Sequence, residues 1–258
     1  MKVIGIVNQK GGVGKTATAA ALADGIARRG KKVLAIDFDP QGQLSASFGV
    51  RGSDVFNPPA LKLLGIGGEL VFERFSLAPY LDIVPAAIGL ESANIALVGK
   101  VGRENFLKKA LRKLENMYDY VVIDSNPSLS IITLNVMAAS TDVIVPFKPE
   151  FQSLNGIELL LNTISELKEF NCNLRLCGFL ATLADKRRSS TSQVIDLVRD
   201  FAQETESRVF DSVIRISVAA ADAPSYGKAL YAYSPRSEVC KDYEKFVDEV
   251  LAITEAQA

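Results

Sequence analysis

Residues 2–16 read KVIGIVNQKGGVGKT. The first part, KVIGIV (2–7), is a short apolar run that stops at a glycine-rich turn. TATAAALADGIARRG (16–30) follows with the alanine, leucine and isoleucine content of a helix, and Gly30 is a natural stop for it. Strand, glycine-rich turn and helix make the context in which GGVGKT cradles phosphate. The glycines let the backbone turn with its N–H groups pointing inward, and the helix N-terminus adds partial positive charge. On this reading Gly11, Gly12, Val13 and Gly14 wrap the phosphates, Lys15 bridges the terminal pair, and the Thr16 hydroxyl ligates Mg2+. A second lysine, Lys10, stands ahead of the glycines, beyond what the loop requires for its own phosphates.

Working outward, KKVLAIDFD (31–39) is a second apolar strand that ends in acid, which completes a βαβ unit. The alternation continues. Strands are predicted at 81–86, 118–124, 141–147, 174–184 and 211–217. Helices are predicted at 101–117, 130–140, 153–170, 190–205 and 237–253. Such alternation implies an α/β fold: a doubly wound, mostly parallel twisted sheet flanked by helices, of the P-loop NTPase type. The stretch 52–80, with NPP (57–59) and GIGG (65–68), reads as loops around short helices.

The chain has 258 residues, 48% of them hydrophobic, with no repeat and no linker, so one domain spanning 1–258 is expected. The N-terminus lacks the apolar run and cleavage site of a secretory signal, and no segment approaches the ~18 apolar residues of a membrane span. Cys172, Cys177 and Cys240 have no metal-ligand spacing and read as reduced thiols of a cytoplasmic protein. Histidine is absent, which removes histidine-based acid–base and metal chemistry. A net charge of −1 argues against coating nucleic acid through bulk charge and leaves room for a local basic patch.

A nucleotide-bound metal needs a carboxylate. VVID (121–124) is four residues of buried-strand character ending in Asp124, the Walker B pattern. Asp37 and Asp39 in AIDFDPQG end the second strand and so reach the same edge of the sheet; one of them would alternatively cap the next turn.

The set KGGVGKT, DFDPQG, VVIDSNPS and DAPSYGKAL, in this order over about residues 2–250, resembles the ParA/Soj family of deviant Walker ATPases, in the group that includes MinD and the nitrogenase iron protein. The resemblance implies ATP and Mg2+ as ligands, and a homodimer that sandwiches two ATP molecules. It implies that Lys10 is the signature lysine, which crosses to the partner's nucleotide and neutralises charge developing on the transferred phosphoryl. By position, Asp39 would orient the attacking water and serve the metal, Asp124 would be the Walker B acid, and 125–128 the switch II turn. Asp185 in TLAD would accept from the adenine amine. The departures are Ala17 where a second threonine is usual, leaving its N–H for the α-phosphate, and Asn126 where a proline is usual, which predicts a looser switch II. VIRIS (213–217) also stands where VIPRN is usual.

The same resemblance implies nonspecific DNA binding by the ATP dimer, a ParB-like adaptor that stimulates hydrolysis, and a nucleoid-associated role in plasmid or chromosome partition. Positioning of a protein cargo such as an organelle or chemoreceptor cluster, or nucleotide-gated binding with little turnover, stay open as alternatives. Lys186, Arg187 and Arg188 in DKRRSS, extended by Arg215 and Lys228, are the expected DNA contacts. The basic side of 101–117 (Lys108, Lys109, Arg112, Lys113) reads as a solvated helix face. The acidic end, DYEKFVDEVLAITEAQA, speaks against a membrane-binding tail, and no cysteine before 172 can hold an iron–sulfur cluster.

Overall fold

The computed structural model describes the chain except for residues 51–53, 67, 172–173, 186, 206 and 257–258. Eight strands form one sheet: β1 (Lys2–Ile6), β2 (Val33–Phe38), β3 (Phe75–Ala78), β4 (Leu81–Val84), β5 (Tyr120–Ser125), β6 (Asp142–Phe147), β7 (Arg175–Ala184) and β8 (Val209–Arg215). Their spatial order is β3-β4-β2-β5-β1-β6-β7-β8, parallel throughout except for the antiparallel edge strand β3. All residues of β2, β5 and β6 are buried, as strands covered on both faces must be.

Alternation along the strands feeds two cores. Ile4, Ile6, Val33 and Ala35 face the helices Lys15–Arg28 and Glu238–Glu255 on one side. Val3, Leu34, Ile36 and Phe38 face the helices Phe106–Arg112, Ile131–Ala139 and Gln152–Phe170 on the other. The alanines of Lys15–Arg28 suit both helix propensity and close approach to its neighbour. Gly25 lies where that approach is tightest: a Cβ there would come within 2.6 Å of Val247 Cγ2.

The predicted elements stand; short helices at Gln43–Ser47, Ser92–Ala96, Val218–Asp222 and Leu230–Tyr233 add to them, and the larger differences are these. The short edge strand β3 lies in the stretch expected to be loops and short helices. The helix expected over 101–117 is broken: Gly102 adopts φ +67°, a 3-10 turn covers Arg103–Asn105, and the α-helix proper is Phe106–Arg112. Beyond it the chain turns tightly, with Met117 N–H donating to the Leu114 carbonyl. Strand β8 begins and ends two residues before its expected span, because Ser217 leaves the sheet to accept the Ala220 N–H as the cap of helix Val218–Asp222. Both described cysteines, Cys177 and Cys240, are buried free thiols, and Cys172 lies outside the described residues. No described helix is long and apolar enough to cross a membrane.

Helix propensity alone predicts that Gly25→Ala stabilises; the contact with Val247 predicts the reverse. We expect a loss of about 1–3 kcal/mol, read from thermal or urea unfolding by circular dichroism, because overpacking a tight helix–helix seam outweighs the propensity gain.

Candidate functional site

The carboxyl ends of the parallel strands deliver the motif residues to one edge. Strand β1 lies between β5 and β6, while the chain leaving it crosses to β2. This reversal of direction is the place where an open parallel sheet opens a crevice. A cleft of about 550 Å3 sits there, lined by Gly11, Gly12, Gly14, Lys15, Thr16 and Ala17 of the loop, with Asp39 and Pro127 opposite. Its far wall comes from the end of β8 and the segment after it, including Ala220, Pro224 and Leu230.

Gly12 and Gly14 hold φ of +70° and +78°, a conformation that L side chains rarely adopt. Gly14 is also the N-cap of helix Lys15–Arg28 and supplies no side-chain cap, so the first-turn N–H groups remain available to an anion. The loop is tied down from behind. Thr182 Oγ lies 2.7 Å from the Val13 carbonyl oxygen and 3.1 Å from that of Phe147, and the Asn8 amide donates to the Pro146 carbonyl at 2.7 Å. Motif spacing does not reveal Thr182, which lies far from the loop in sequence.

Beneath the loop, Asp37 and Asp124 are register partners on neighbouring strands, both fully buried. Their environments differ. Asp37 accepts the N–H and hydroxyl of Ser45 at 2.8 and 2.6 Å and the N–H of Asp39 at 3.2 Å, so it caps the following turn. Burial pushes its carboxyl up to about 6. Neither oxygen of Asp124 has a hydrogen-bond partner among the described residues. Burial, then the charge of Asp37, raises its pKa well above the usual carboxylate range. The Thr16 hydroxyl and Lys15 pull the other way, the hydroxyl without meeting hydrogen-bond geometry.

The Lys15 ammonium donates to the Lys10 carbonyl at 3.1 Å. Burial lowers its pKa, against the pull of Asp124 and Asp39. Asp39 itself is nearly buried and accepts the Gln41 N–H at 2.9 Å, which fixes the turn that carries it into the cleft.

The Lys10 side chain turns away from the cleft. Its ammonium lies 3.4 Å from Ser153 Oγ and 3.7 Å from Glu150 Oε2, and Glu150 also pairs with Lys148. Nothing in the sequence marked Glu150 and Ser153 as the partners of Lys10. The 125–128 turn is anchored where it was expected to be loose: buried Asn126 donates to Ser128 Oγ and Ser130 Oγ and accepts from the Thr133 hydroxyl.

Two expectations for the flanking residues change. Asp185 lines a neighbouring groove instead of the cleft, and its carboxylate accepts from the N–H and guanidinium of Arg187 and pairs with Arg188, so the structure does not bring it to a base pocket. Arg215 lines the cleft, with its guanidinium held by Asp242 at 2.6 and 2.7 Å and by Glu238 at 3.7 Å. Arg215 is thus a neutralised wall residue that adds no free positive charge. Lys186 lies outside the described residues.

Residues 1–176 match the family described as "AAA domain". The sporulation initiation inhibitor protein Soj of Bacillus subtilis is 37% identical over 252 residues, covering 97% of this chain and 98% of that one. The chromosome-partitioning ATPase Soj of Thermus thermophilus is 38% identical, covering 96% and 95%. The chain belongs to the ParA/Soj family of P-loop ATPases. A structure of cobyrinic acid a,c-diamide synthase from Mycobacterium smegmatis with bound ATP analog and magnesium superimposes with a TM-score of 0.84 at 32% identity, covering 100% of this chain and 97% of that one. The fold shared with that structure thus extends along the whole chain, including the segments that close the far wall of the cleft.

The unpartnered Asp124 costs stability in the free protein. Asp124→Asn is expected to raise the melting temperature, by roughly 2–4 °C for each kcal/mol recovered. The sign with pH follows from the raised carboxyls. Asp37 and Asp124 keep protons in the folded chain at a pH where unfolded aspartates, at about 3.9, have lost them. Stability therefore falls as pH rises from about 4 through 6, and Asp124→Asn makes that fall shallower in urea titrations of the ligand-free protein.

Proposed function

We propose that this chain is an ATP hydrolase that binds MgATP in the cleft, pairs with a second copy across two nucleotides, and in that state binds DNA without sequence preference. The observation that carries the reading is Asp124: a fully buried carboxylate with both oxygens unpartnered, beside Thr16 and Lys15, below a loop of open N–H groups. A structural aspartate would have been satisfied, as Asp37 is by Ser45. Once ionised, that pair of unpartnered oxygens next to a hydroxyl suits the hydration shell of Mg2+, which keeps several waters and takes few protein ligands. When bound, that ion would neutralise charge between the β- and γ-phosphates.

The loop N–H groups from Gly11 to Ala17 orient the phosphates, and Lys15 holds the terminal pair from within the loop. Thr16 and Asp124 would hold the metal. Asp39, reaching into the cleft from the turn after β2, positions the attacking water and would also serve the metal. Lys10 stabilises the transferred phosphoryl on the partner's nucleotide, for which it must leave Glu150 and Ser153. The names of the chromosome-partitioning Soj relatives support a role in partitioning chromosomes; plasmid DNA as an equivalent cargo, a ParB-like adaptor and a place in the cytoplasm on the nucleoid complete the proposed reading. The adaptor sets which cargo is moved.

The test is light scattering with a nonhydrolysable ATP analogue and Mg2+, paired with phosphate release from ATP. Wild-type protein should pair. Lys15→Ala should remain monomeric, and Lys10→Ala should lose both pairing and turnover. Asp39→Ala should pair and yet release phosphate at least ~10²-fold more slowly, the scale expected for loss of a water-positioning carboxylate. Rapid turnover by Asp39→Ala, or monomers only for wild type, refutes the mechanism.

A further inference from the structure

We infer that Gly49 and Gly227 form a main-chain seam that fixes the turn carrying Asp39 against the far wall of the cleft, and so act as positioning residues for hydrolysis. This rests on the role proposed above for Asp39 and adds what holds that residue in place.

Asp39 belongs to a short hydrogen-bonded unit. Its carboxylate accepts the Gln41 N–H at 2.9 Å, and its carbonyl accepts the Gly42 N–H at 2.9 Å. Gly42 is the N-cap of helix Gln43–Ser47, and its carbonyl accepts the Ala46 N–H at 3.0 Å. The unit closes at Gly49 and Val50, whose N–H groups donate back to the Ala46 and Ser45 carbonyls at 3.0 Å. On one side it is fixed to the sheet. Asp37 accepts from the N–H and hydroxyl of Ser45, and Ser45 Oγ accepts the Ala86 N–H at 3.2 Å.

At Gly49 the unit meets the far wall of the cleft. Its neighbour there is Gly227, which closes the 3-10 turn Ala223–Tyr226. The two glycines hold φ of +71° and +61°. A Cβ on Gly49 would lie 2.8 Å from the Gly227 carbonyl oxygen, and a Cβ on Gly227 would lie 3.0 Å from Gly49 Cα. Both obstacles are main chain, which cannot rotate aside as the end of a side chain can. Both of the joined segments line the cleft, one through Gln41, Gln43 and Ala46, the other through Ala223, Pro224 and Lys228.

A helix end explains one glycine at positive φ. It does not explain two of them placed against each other. Gly30 holds φ +78° after helix Lys15–Arg28, and a Cβ there would meet nothing within 4 Å. A fixed spacing between two walls of the cleft supplies the missing reason. Catalytic geometry tolerates little displacement, since a misplacement of about 1 Å can cost on the order of 10²-fold in rate.

The test is phosphate release from MgATP, with affinity for a nonhydrolysable ATP analogue and pairing in light scattering measured alongside. The variants are Gly49→Ala, Gly227→Ala, the two together and, as the control for left-handed strain alone, Gly30→Ala. Each seam variant should lose at least ~10-fold in kcat, with analogue affinity within ~3-fold of wild type and pairing kept. The double variant should lose no more than ~2-fold beyond the worse single, because a seam already parted has little more to lose. Gly30→Ala should turn over as wild type. In the unaltered protein, analogue binding should slow hydrogen exchange at the Gly49 and Val50 amides, which lie outside the cleft lining, together with Gly227. That readout stands even where a seam variant fails to fold. Wild-type kcat in either seam variant overturns the assignment, as do losses that multiply in the double variant, an equal loss in Gly30→Ala, a fall in affinity or pairing that accounts for the lost turnover, or unchanged exchange at Gly49 and Val50. If Asp39→Ala turns over as wild type, the reading of Asp39 fails and the seam assignment falls with it. If Asp39→Ala is slow and the seam variants are not, the seam assignment alone fails.

Discussion

Two carboxylates buried side by side on neighbouring parallel strands, with one ammonium as their counter-charge, set the terms for this edge of the molecule. Asp37 and Asp124 share a register position, and neither reaches water. Two such groups in a low-dielectric sheet cannot both be comfortably ionised. The fold resolves the conflict unequally. It surrounds Asp37 with three donors and leaves Asp124 with none among the described residues. That asymmetry separates a scaffold carboxylate, which holds the turn carrying Asp39, from one that, on the proposed reading, would serve a cation. Lys15 is confined to the narrow space above, and its neutral form is favoured by burial and opposed by Asp124 and Asp39. The free protein therefore stores unfavourable electrostatics at the site that a magnesium-bound polyanion would relieve, since the ion supplies charge for Asp124 and the phosphates supply it for Lys15.

Such a site is tolerable because its frame is rigid. β1, β2, β5 and β6 are buried along nearly their whole length, and the strain falls at their ends, where the chain is already turning. Polar side chains complete the frame from a distance. Thr182 and Asn8 hold the phosphate loop against β6, Ser125 donates to the Ile6 carbonyl at 2.8 Å, and Asn126 ties down the turn beyond Asp124. Asn126 shows how a substitution can exchange one kind of order for another. Proline would restrict that turn through its ring, whereas the amide restricts it through bonds to Ser128, Ser130 and Thr133.

How much of this was legible depended on whether the signal was local. Long apolar runs ending in glycine or aspartate located the central strands and the loop, since burial on both faces leaves no alternative composition. β3 was invisible because a four-residue edge strand, mostly exposed, has no apolar pattern to show. The helix at 101–117 was overdrawn because its apolar spacing is real, while Gly102 breaks the backbone ahead of it. For the site, Lys15, Thr16, Asp39 and Asp124 converge as their motifs imply. Asp185 and Arg215 were placed by position alone, and their actual partners, Arg187 and Asp242, are matters of side-chain geometry that no spacing rule carries. Thr182, Glu150 and Ser153 act across more than a hundred residues of sequence, and a single chain read in order has no means of pairing them with the loop.

The position of Lys10 follows from the same electrostatics. An unpaired ammonium on the rim of a loop that already holds Lys15 would add to a cationic crowd with no anion present. Glu150 offers it a resting partner, shared with Lys148, at the end of β6. Lys10 and Glu150 are each about one-third exposed and 3.7 Å apart, so the contact is worth no more than ~1 kcal/mol in water. A triphosphate presented from outside, carrying several negative charges in a water-excluding interface, competes with that contact easily. The contact is thus weak enough to release Lys10, as the proposed function requires. In the proposed cycle a lysine would serve this purpose better than an arginine, because a compact charge on a flexible stem could swing between Glu150 and a partner's nucleotide with no bidentate geometry to lose at either.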